Sequence, residues 1–146
     1  GDADVCVSGP PASCDDGDTC TYDACVAPSG CLHTPRVGWD AVTCRLERIR
    51  SRLAEVEGVR PAARRGLVRL AARALERTVL ARAADARADG RALRRHLHAL
   101  DKTVRRLRAA LERGRGVPLA LPLALRPVLD ETLREIGTLR ASRGST

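Results

Sequence analysis

All six cysteines of this 146-residue chain lie within its first 44 residues. They are Cys6, Cys14, Cys20, Cys25, Cys31 and Cys44. An even number of closely spaced cysteines, in a segment with few apolar residues, indicates a disulfide framework, and such frameworks persist outside the reducing cytosol. The sequence therefore predicts a secreted protein with two physically different parts, a cysteine-rich module and a cysteine-free remainder.

The module is too small to fold on apolar burial alone. A segment of about 40 residues rarely buries enough surface to be stable unaided. Cross-links worth roughly 2–4 kcal/mol each supply the missing stability. Six cysteines allow many pairings, and the set that we predict is Cys14–Cys25, Cys20–Cys31 and Cys6–Cys44. The first two bridges keep a four-cysteine unit self-contained, and the third ties the N-terminus to the first helix.

Four of the cysteines belong to a longer pattern of fixed residues. The run from Cys14 to Pro35 has the form C-x-D-x-x-x-C-T-x-D-x-C, followed by G-C-x-H-x-P. This pattern resembles the CTDC-type cysteine repeat of slime-mould extracellular proteins, which is also familiar from secreted bacterial proteins. The resemblance covers residues 14–35 and implies an extracellular, matrix or surface protein without enzymatic activity. The chain departs from the repeat in having a single copy, two additional cysteines and a helical region behind it.

The acidic residues of the module suggest two interpretations. Asp15, Asp16, Asp18 and Asp23 surround Gly17, and their carboxylates are the hard oxygen ligands that calcium prefers. Short Asp/Gly runs also form turns in which the side chains accept hydrogen bonds from nearby backbone amides. We favour the turns and expect no cofactor, with calcium as the alternative. The spacing lacks the C-x-x-C and C-x-x-C-H patterns of zinc and haem sites, and His33 is expected to make a local hydrogen bond.

A helical period begins near residue 40. Asp40 is a suitable N-cap, and Trp39 is expected to pack on Cys44, which lies off the apolar stripe and is free to reach the module. The apolar spacing and the Gly and Pro breaks predict helices at about 40–57, 61–89, 91–113 and 123–141. The second begins at Pro61 and includes Val79 in its apolar face. The third has an apolar stripe from Leu93 to Leu111, and the Pro-rich loop from Val117 is expected to lie across one end of the bundle. The fold class predicted is mainly α, with a disulfide-rich module at 1–39 and an antiparallel four-helix bundle at 40–146.

Charge is divided unevenly along the chain. Residues 1–40 contain seven acids and one base, a net charge of −6, whereas residues 41–146 contain 25 bases and 11 acids, a net charge of +14. All but one of the 26 basic residues are arginines, which we attribute first to a GC-rich genome. The asymmetry favours an anionic partner or head-to-tail association of copies.

No catalytic set can be assembled from the sequence. His96 and His98 flank Leu97 and point to different sides of their helix, so they cannot share a metal ion as i, i+4 ligands do. Nucleophile-elbow, phosphate-loop and dinucleotide motifs are missing, and no apolar run reaches the roughly 18 residues that span a bilayer. The chain begins with Gly, which suggests a processed product.

These observations leave three hypotheses from different classes. The leading one is a secreted bacterial, non-enzymatic structural or adhesion protein that self-assembles into a filament or surface layer. The alternative is a cationic module that binds an anionic cell-surface glycan, lipid or lipopolysaccharide, for which the candidate residues are Arg94, Arg95, Arg105 and Arg106. The third is a disulfide-rich hydrolase inhibitor that acts through the loop 26–30. Specific nucleic-acid recognition is disfavoured because the chain has one Trp and one Tyr and no Phe.

Overall fold

A computed structural model describes residues 14–143 and confirms a mainly helical fold. It also contains a small sheet near the N-terminus, which was not predicted. The elements are β1 Thr21–Val26, β2 Gly30–Pro35, α1 Gly38–Glu55, α2 Pro61–Ala86, α3 Gly90–Glu112 and α4 Ala120–Arg143. The strands pair as an antiparallel hairpin, in which Asp23 lies opposite His33 and Cys25 lies opposite Cys31. None of the described helices combines the length and apolar character needed to cross a bilayer.

The four helices form a closed ring. Helix α1 packs against α2 and α4, and α3 packs against the same two helices. The connections at 56–60, 87–89 and 113–119 are short, so consecutive helices run antiparallel. Aliphatic side chains from the helices fill the centre, and the largest include Leu46, Ile49, Leu100, Leu107, Leu129 and Ile136. The predicted stripe of α3, from Leu93 to Leu111, is buried along its whole length.

Small residues line the inner face of α2. Ala71, Ala74, Thr78 and Ala81 are buried, and the Thr78 hydroxyl donates to the Ala74 carbonyl at 2.9 Å. The prediction that Val79 belongs to the apolar face is wrong, because the buried row passes through its neighbour Thr78 and leaves Val79 66% exposed. Alanines at these positions allow α2 and its neighbours to approach closely.

The start of α1 differs from the prediction. The helix begins at Gly38 with Val37 as its N-cap, so the assignment of Asp40 as N-cap is wrong. Asp40 lies in the first turn, where its carboxylate accepts a hydrogen bond from the Tyr22 hydroxyl instead. A distant side chain supplies the capping interaction, since the Gly38 amide donates to Glu135 Oε1 of α4 at 2.7 Å. Tertiary contacts therefore replace a local cap.

Helix α4 begins at Ala120, earlier than predicted, and continues through Pro127. The Pro-rich connection before it crosses one end of the bundle, as expected. Val117 packs against the core there, and the Arg60 amide donates to the Gly116 carbonyl at 2.8 Å. This contact joins the α1–α2 and α3–α4 connections.

The five described cysteines are disulfide-bonded, as predicted, but the predicted pairing is wrong. The described bridges are Cys14–Cys31 and Cys20–Cys44, and Cys25 is disulfide-bonded as well. Cys14 therefore does not pair with Cys25, Cys20 does not pair with Cys31, and Cys44 does not pair with Cys6, which lies outside the described residues. The reason is geometric: Cys20 precedes β1 on the side of the hairpin that meets α1, whereas Cys31 lies in β2 and faces the loop that carries Cys14. The expectation that Cys44 joins the module to the first helix is confirmed.

Candidate functional site

The acidic loop that precedes β1 is built from hydrogen-bonded turns. Asp15 Oδ1 accepts from the Gly17 amide at 2.8 Å, Asp16 Oδ1 from the Asp18 amide at 2.7 Å, and Asp18 Oδ1 from the Cys20 amide at 2.7 Å. These hydrogen bonds form the turns predicted for the aspartates, in which each side chain accepts from the backbone amide two residues later. Asp18 also forms an ion pair with Arg48 of α1.

Only two of the four aspartates meet at one point, and His33 joins them. His33 Nδ1 lies 2.8 Å from Asp23 Oδ1 and 3.5 Å from Asp16 Oδ2. The Thr21 hydroxyl lies 3.0 Å from Asp16 Oδ1 and 3.3 Å from Asp23 Oδ1. We call Asp16, Asp23 and His33 the hairpin cluster. The polar fixed positions of the C-x-D, C-T-x-D and C-x-H pattern therefore converge in space, although they are spread over residues 16–33.

The hairpin cluster is electrostatically coupled. The hydrogen bond to Asp23 is the main cause that raises the pKa of His33, with the charge of Asp16 acting in the same direction. The same hydrogen bond lowers the pKa of Asp23. Because a carboxylate can only accept, Nδ1 carries the proton in this arrangement. The three side chains remain partly open to solvent, with His33 at 38% exposure.

The module meets the bundle at the start of α1. The Tyr22 hydroxyl donates to Asp40 Oδ2 at 2.8 Å, and Arg82 of α2 pairs with the other oxygen of Asp40 at 2.9 Å. The Arg36 guanidinium stacks over the Tyr22 ring, 4.7 Å from its centre. Together with the Cys20–Cys44 bridge, these polar contacts position the hairpin on the bundle.

Positive charge is concentrated on one half of the bundle. Helix α2 carries six bases and two acids, and α3 carries seven bases and two acids, giving net charges of +4 and +5. Helices α1 and α4 each carry four bases and three acids, a net charge of +1. The α2–α3 pair therefore holds most of the net charge.

The four arginines predicted to bind anions do not form one continuous stripe on α3. Arg105 donates to Asp101 at 2.8 Å, a hydrogen bond that raises the pKa of Arg105. Arg94 faces α4 instead and lines a cavity of about 260 Å³ with Arg140 and Arg143. Arg95 and Arg106 lie on the same side of α3. Within residues 14–143 their side chains form no hydrogen bond and no ion pair.

Arg95 and Arg106 belong to a longer basic surface that includes α2. Lys102, Arg106 and Ala110 follow an i, i+4 row of α3, and Arg95 lies two turns before Lys102 on the same side. Ala110 lines a shallow groove with Gly66 of α2. Beside Gly66, α2 presents its own row of exposed arginines. We define the α2–α3 basic face as Arg65, Arg69, Arg73, Arg77, Arg95, Lys102 and Arg106, all of which are exposed. The α2 residues of this face were not predicted from the sequence, although their regular spacing of four was a usable signal.

In the opposite half of the bundle, five of the eight bases on α1 and α4 form ion pairs. Arg45 lies 3.6 Å from Glu131 and 3.7 Å from Glu135, and Arg108 reaches across from α3 to Asp130 at 2.9 Å. These ion pairs join neighbouring helices and leave less uncompensated charge on the surface around α4.

No protein-family model, curated protein or solved structure matches the chain.

Proposed function

We propose that the chain is a non-enzymatic extracellular adhesion module that binds an anionic cell-surface glycan through the α2–α3 basic face. The observation that carries this proposal is the placement of seven exposed bases without an acidic partner in the described structure on two adjacent helices, whereas five of the eight bases on α1 and α4 pair with acids. The disulfide bonds support an oxidising, extracellular setting. The resemblance of residues 14–35 to an extracellular repeat points in the same direction.

The shape of the basic face favours a polymer over a single small anion. Arg65 to Arg77 extend along α2 for about 18 Å at 1.5 Å per residue. A row of this length matches a chain with repeated charges, and each guanidinium can bind a sulfate, phosphate or carboxylate group in a bidentate manner. Exposed contacts of this kind weaken as salt is added, because the ions screen them.

The structure weakens one reason for the self-assembly hypothesis. It depended on an acidic module available to the basic bundle of another copy. In the structure Asp18 pairs with Arg48, Asp40 pairs with Arg82, and Asp16 and Asp23 surround His33 of the same chain. From residue 14 onward, the acidic charges that suggested association between copies are thus largely engaged within one copy.

Two charge-reversal variants of equal net charge test the glycan proposal. The first changes Arg69, Arg73, Lys102 and Arg106 to Glu on the basic face. The control changes Arg50, Arg52, Arg134 and Arg140 to Glu on α1 and α4. Each variant takes the formal net charge from +8 to zero, so any difference between them reports placement alone.

The measurement is the salt concentration that elutes each protein from a sulfated-polysaccharide resin. We expect the wild type and the control to be retained and the basic-face variant to elute at much lower salt. Circular dichroism verifies that both variants remain helical. Equal elution of the two variants would mean that only net charge matters and would overturn the proposal, as would preferential retention on anionic lipid vesicles.

A further inference from the structure

The hairpin cluster has more acceptors than donors. The Thr21 hydroxyl carries one proton, yet three oxygens lie within hydrogen-bonding distance of it: the Asp18 carbonyl at 2.7 Å and the two carboxylates at 3.0 and 3.3 Å. A protonated His33 supplies one positive charge against the two negative charges of Asp16 and Asp23. The cluster therefore keeps a surplus of lone pairs and of negative charge even when His33 is charged.

The geometry of the cluster fits a small metal ion. One ligand atom from each of Asp16, Asp23 and His33 lies within 4.8 Å of the other two. Ligand atoms about 2.0 Å from a tetrahedral zinc ion lie roughly 3.3 Å apart. The distances from His33 Nδ1, 2.8 Å to Asp23 and 3.5 Å to Asp16, fall on either side of that value. A bound ion would take the place of the proton that His33 Nδ1 donates to Asp23.

We propose that Asp16, Asp23 and His33 bind one divalent transition-metal ion of the zinc type, with water completing the coordination. The imidazole distinguishes this site from a calcium site, because calcium takes oxygen ligands whereas zinc accepts both nitrogen and carboxylate oxygen. The calcium set of Asp15, Asp16, Asp18 and Asp23 is thereby revised. Oδ1 of Asp15, Asp16 and Asp18 each accepts from a backbone amide, and Asp18 also pairs with Arg48. Asp16 contributes to the site through its second oxygen, Oδ2, which lies 3.5 Å from His33 Nδ1.

The site would cross-link three segments of the module. Asp16 belongs to the acidic loop, Asp23 to β1 and His33 to β2. A bound ion holds these segments together in addition to the Cys14–Cys31 bridge, and binding to the folded form alone stabilises it by mass action. Metal binding also requires His33 to lose its proton. The function of this site is independent of the α2–α3 basic face.

The test is a calorimetric titration of the fully oxidised 146-residue chain with zinc chloride. Intact mass first verifies that every cysteine is in a disulfide, since free thiolates would bind zinc themselves. We expect one ion per chain. His33→Ala and, separately, Asp16→Asn should weaken binding at least about tenfold, the loss that even an outer-shell partner can cause. His98→Ala and Asp15→Asn are matched controls and should bind as the wild type does.

A second measurement distinguishes a metal site from a cluster that is held by hydrogen bonds alone. Zinc should shift the imidazole resonances of His33 in nuclear magnetic resonance spectra and leave those of His96 and His98 in place. Absence of binding by zinc, cobalt and manganese would overturn the proposal, as would full affinity in folded His33→Ala or Asp16→Asn. The basic-face reversal variant should still bind zinc, so failure of the glycan proposal is distinguishable from failure of this one.

Discussion

The hairpin module and the helical bundle are stabilised by different kinds of interaction. In residues 14–37 of the module the larger apolar side chains are open to solvent, and Tyr22 and Leu32 are 47% and 53% exposed. Its order comes from disulfides, backbone pairing and aspartate turns. In the bundle, Leu100 and Ile136 are fully buried, and apolar burial supplies most of the stability. The module is therefore held together mainly by covalent and polar links, whereas the bundle is held together mainly by buried apolar side chains.

The two regions also differ in how they use charge. The aspartates of the module bind neighbouring amides, His33 and Arg48, so most of the acidic groups have partners nearby. On α2 and α3 most arginines face solvent without an acidic partner in the described structure. The module is therefore suited to a compact ion site, whereas the bundle is suited to an extended anionic surface.

The largest effect should come from the bundle core. Leu100→Ala removes a buried side chain and should lower the free energy of unfolding by about 2–5 kcal/mol. The matched change on the module, Leu32→Ala, should alter it by no more than about 0.5 kcal/mol because Leu32 is exposed. Chemical denaturation followed by circular dichroism measures both. A comparable loss in Leu32→Ala would mean that the face of the hairpin is covered in solution.

An intermediate effect should come from the bridge between the regions. Replacing both Cys20 and Cys44 by Ser opens a loop with a sequence separation of 24 residues. Loop-closure entropy assigns such a bridge about 3 kcal/mol. We expect faster hydrogen exchange in residues 14–37 and an unchanged helical spectrum, because the core of α2 and α3 is untouched. Loss of the helical signal would show that the bundle depends on the module.

The smallest effect should appear at acidic pH. The hydrogen bond from Tyr22 is the main cause that lowers the pKa of Asp40 below its ordinary 3.8, with Arg82 contributing in the same direction. The folded state thus prefers the ionised carboxylate. The resulting stabilisation is present above pH 3.8 and is lost as the pH falls through the lower folded-state pKa.

Tyr22→Phe is the control for this pH effect, since it removes the hydrogen bond and leaves the ring. Hydrogen exchange of the hairpin between pH 2.5 and 6 should show a weaker acid dependence in this variant than in the wild type. Identical profiles would mean that the contact between Tyr22 and Asp40 does not hold the hairpin on the bundle.

The predictable parts of the fold were those with a strong local signal. The rhythm of Leu93, Leu97, Leu100, Val104 and Leu107 on α3 predicted a buried stripe, and the structure buries all five. Pro61 correctly marked the first turn of α2. Local reasoning was wrong at Asp40 and Val79, because the cap of α1 comes from Glu135 on another helix and the inner face of α2 is set by close helix packing.

The candidate sites were predictable only in part. The module pattern identified Asp16, Asp23 and His33 as residues of interest, yet sequence distance gave no reason to place His33 beside both carboxylates. That contact depends on the hairpin register, which sets Asp23 opposite His33. The pattern of Arg105 and Arg106 likewise suggested one stripe, whereas the structure holds Arg105 against Asp101 and leaves Arg106 with Lys102.

The sequence by itself determined the division of this protein into a disulfide-bonded module and a four-helix bundle, because cysteine spacing and apolar period are local properties of the chain. The tertiary structure alone decided which cysteines pair, which acids meet His33 and which arginines remain unneutralised. Each of these depends on distances between residues far apart in sequence, and those distances follow from how the hairpin registers and how the helices pack.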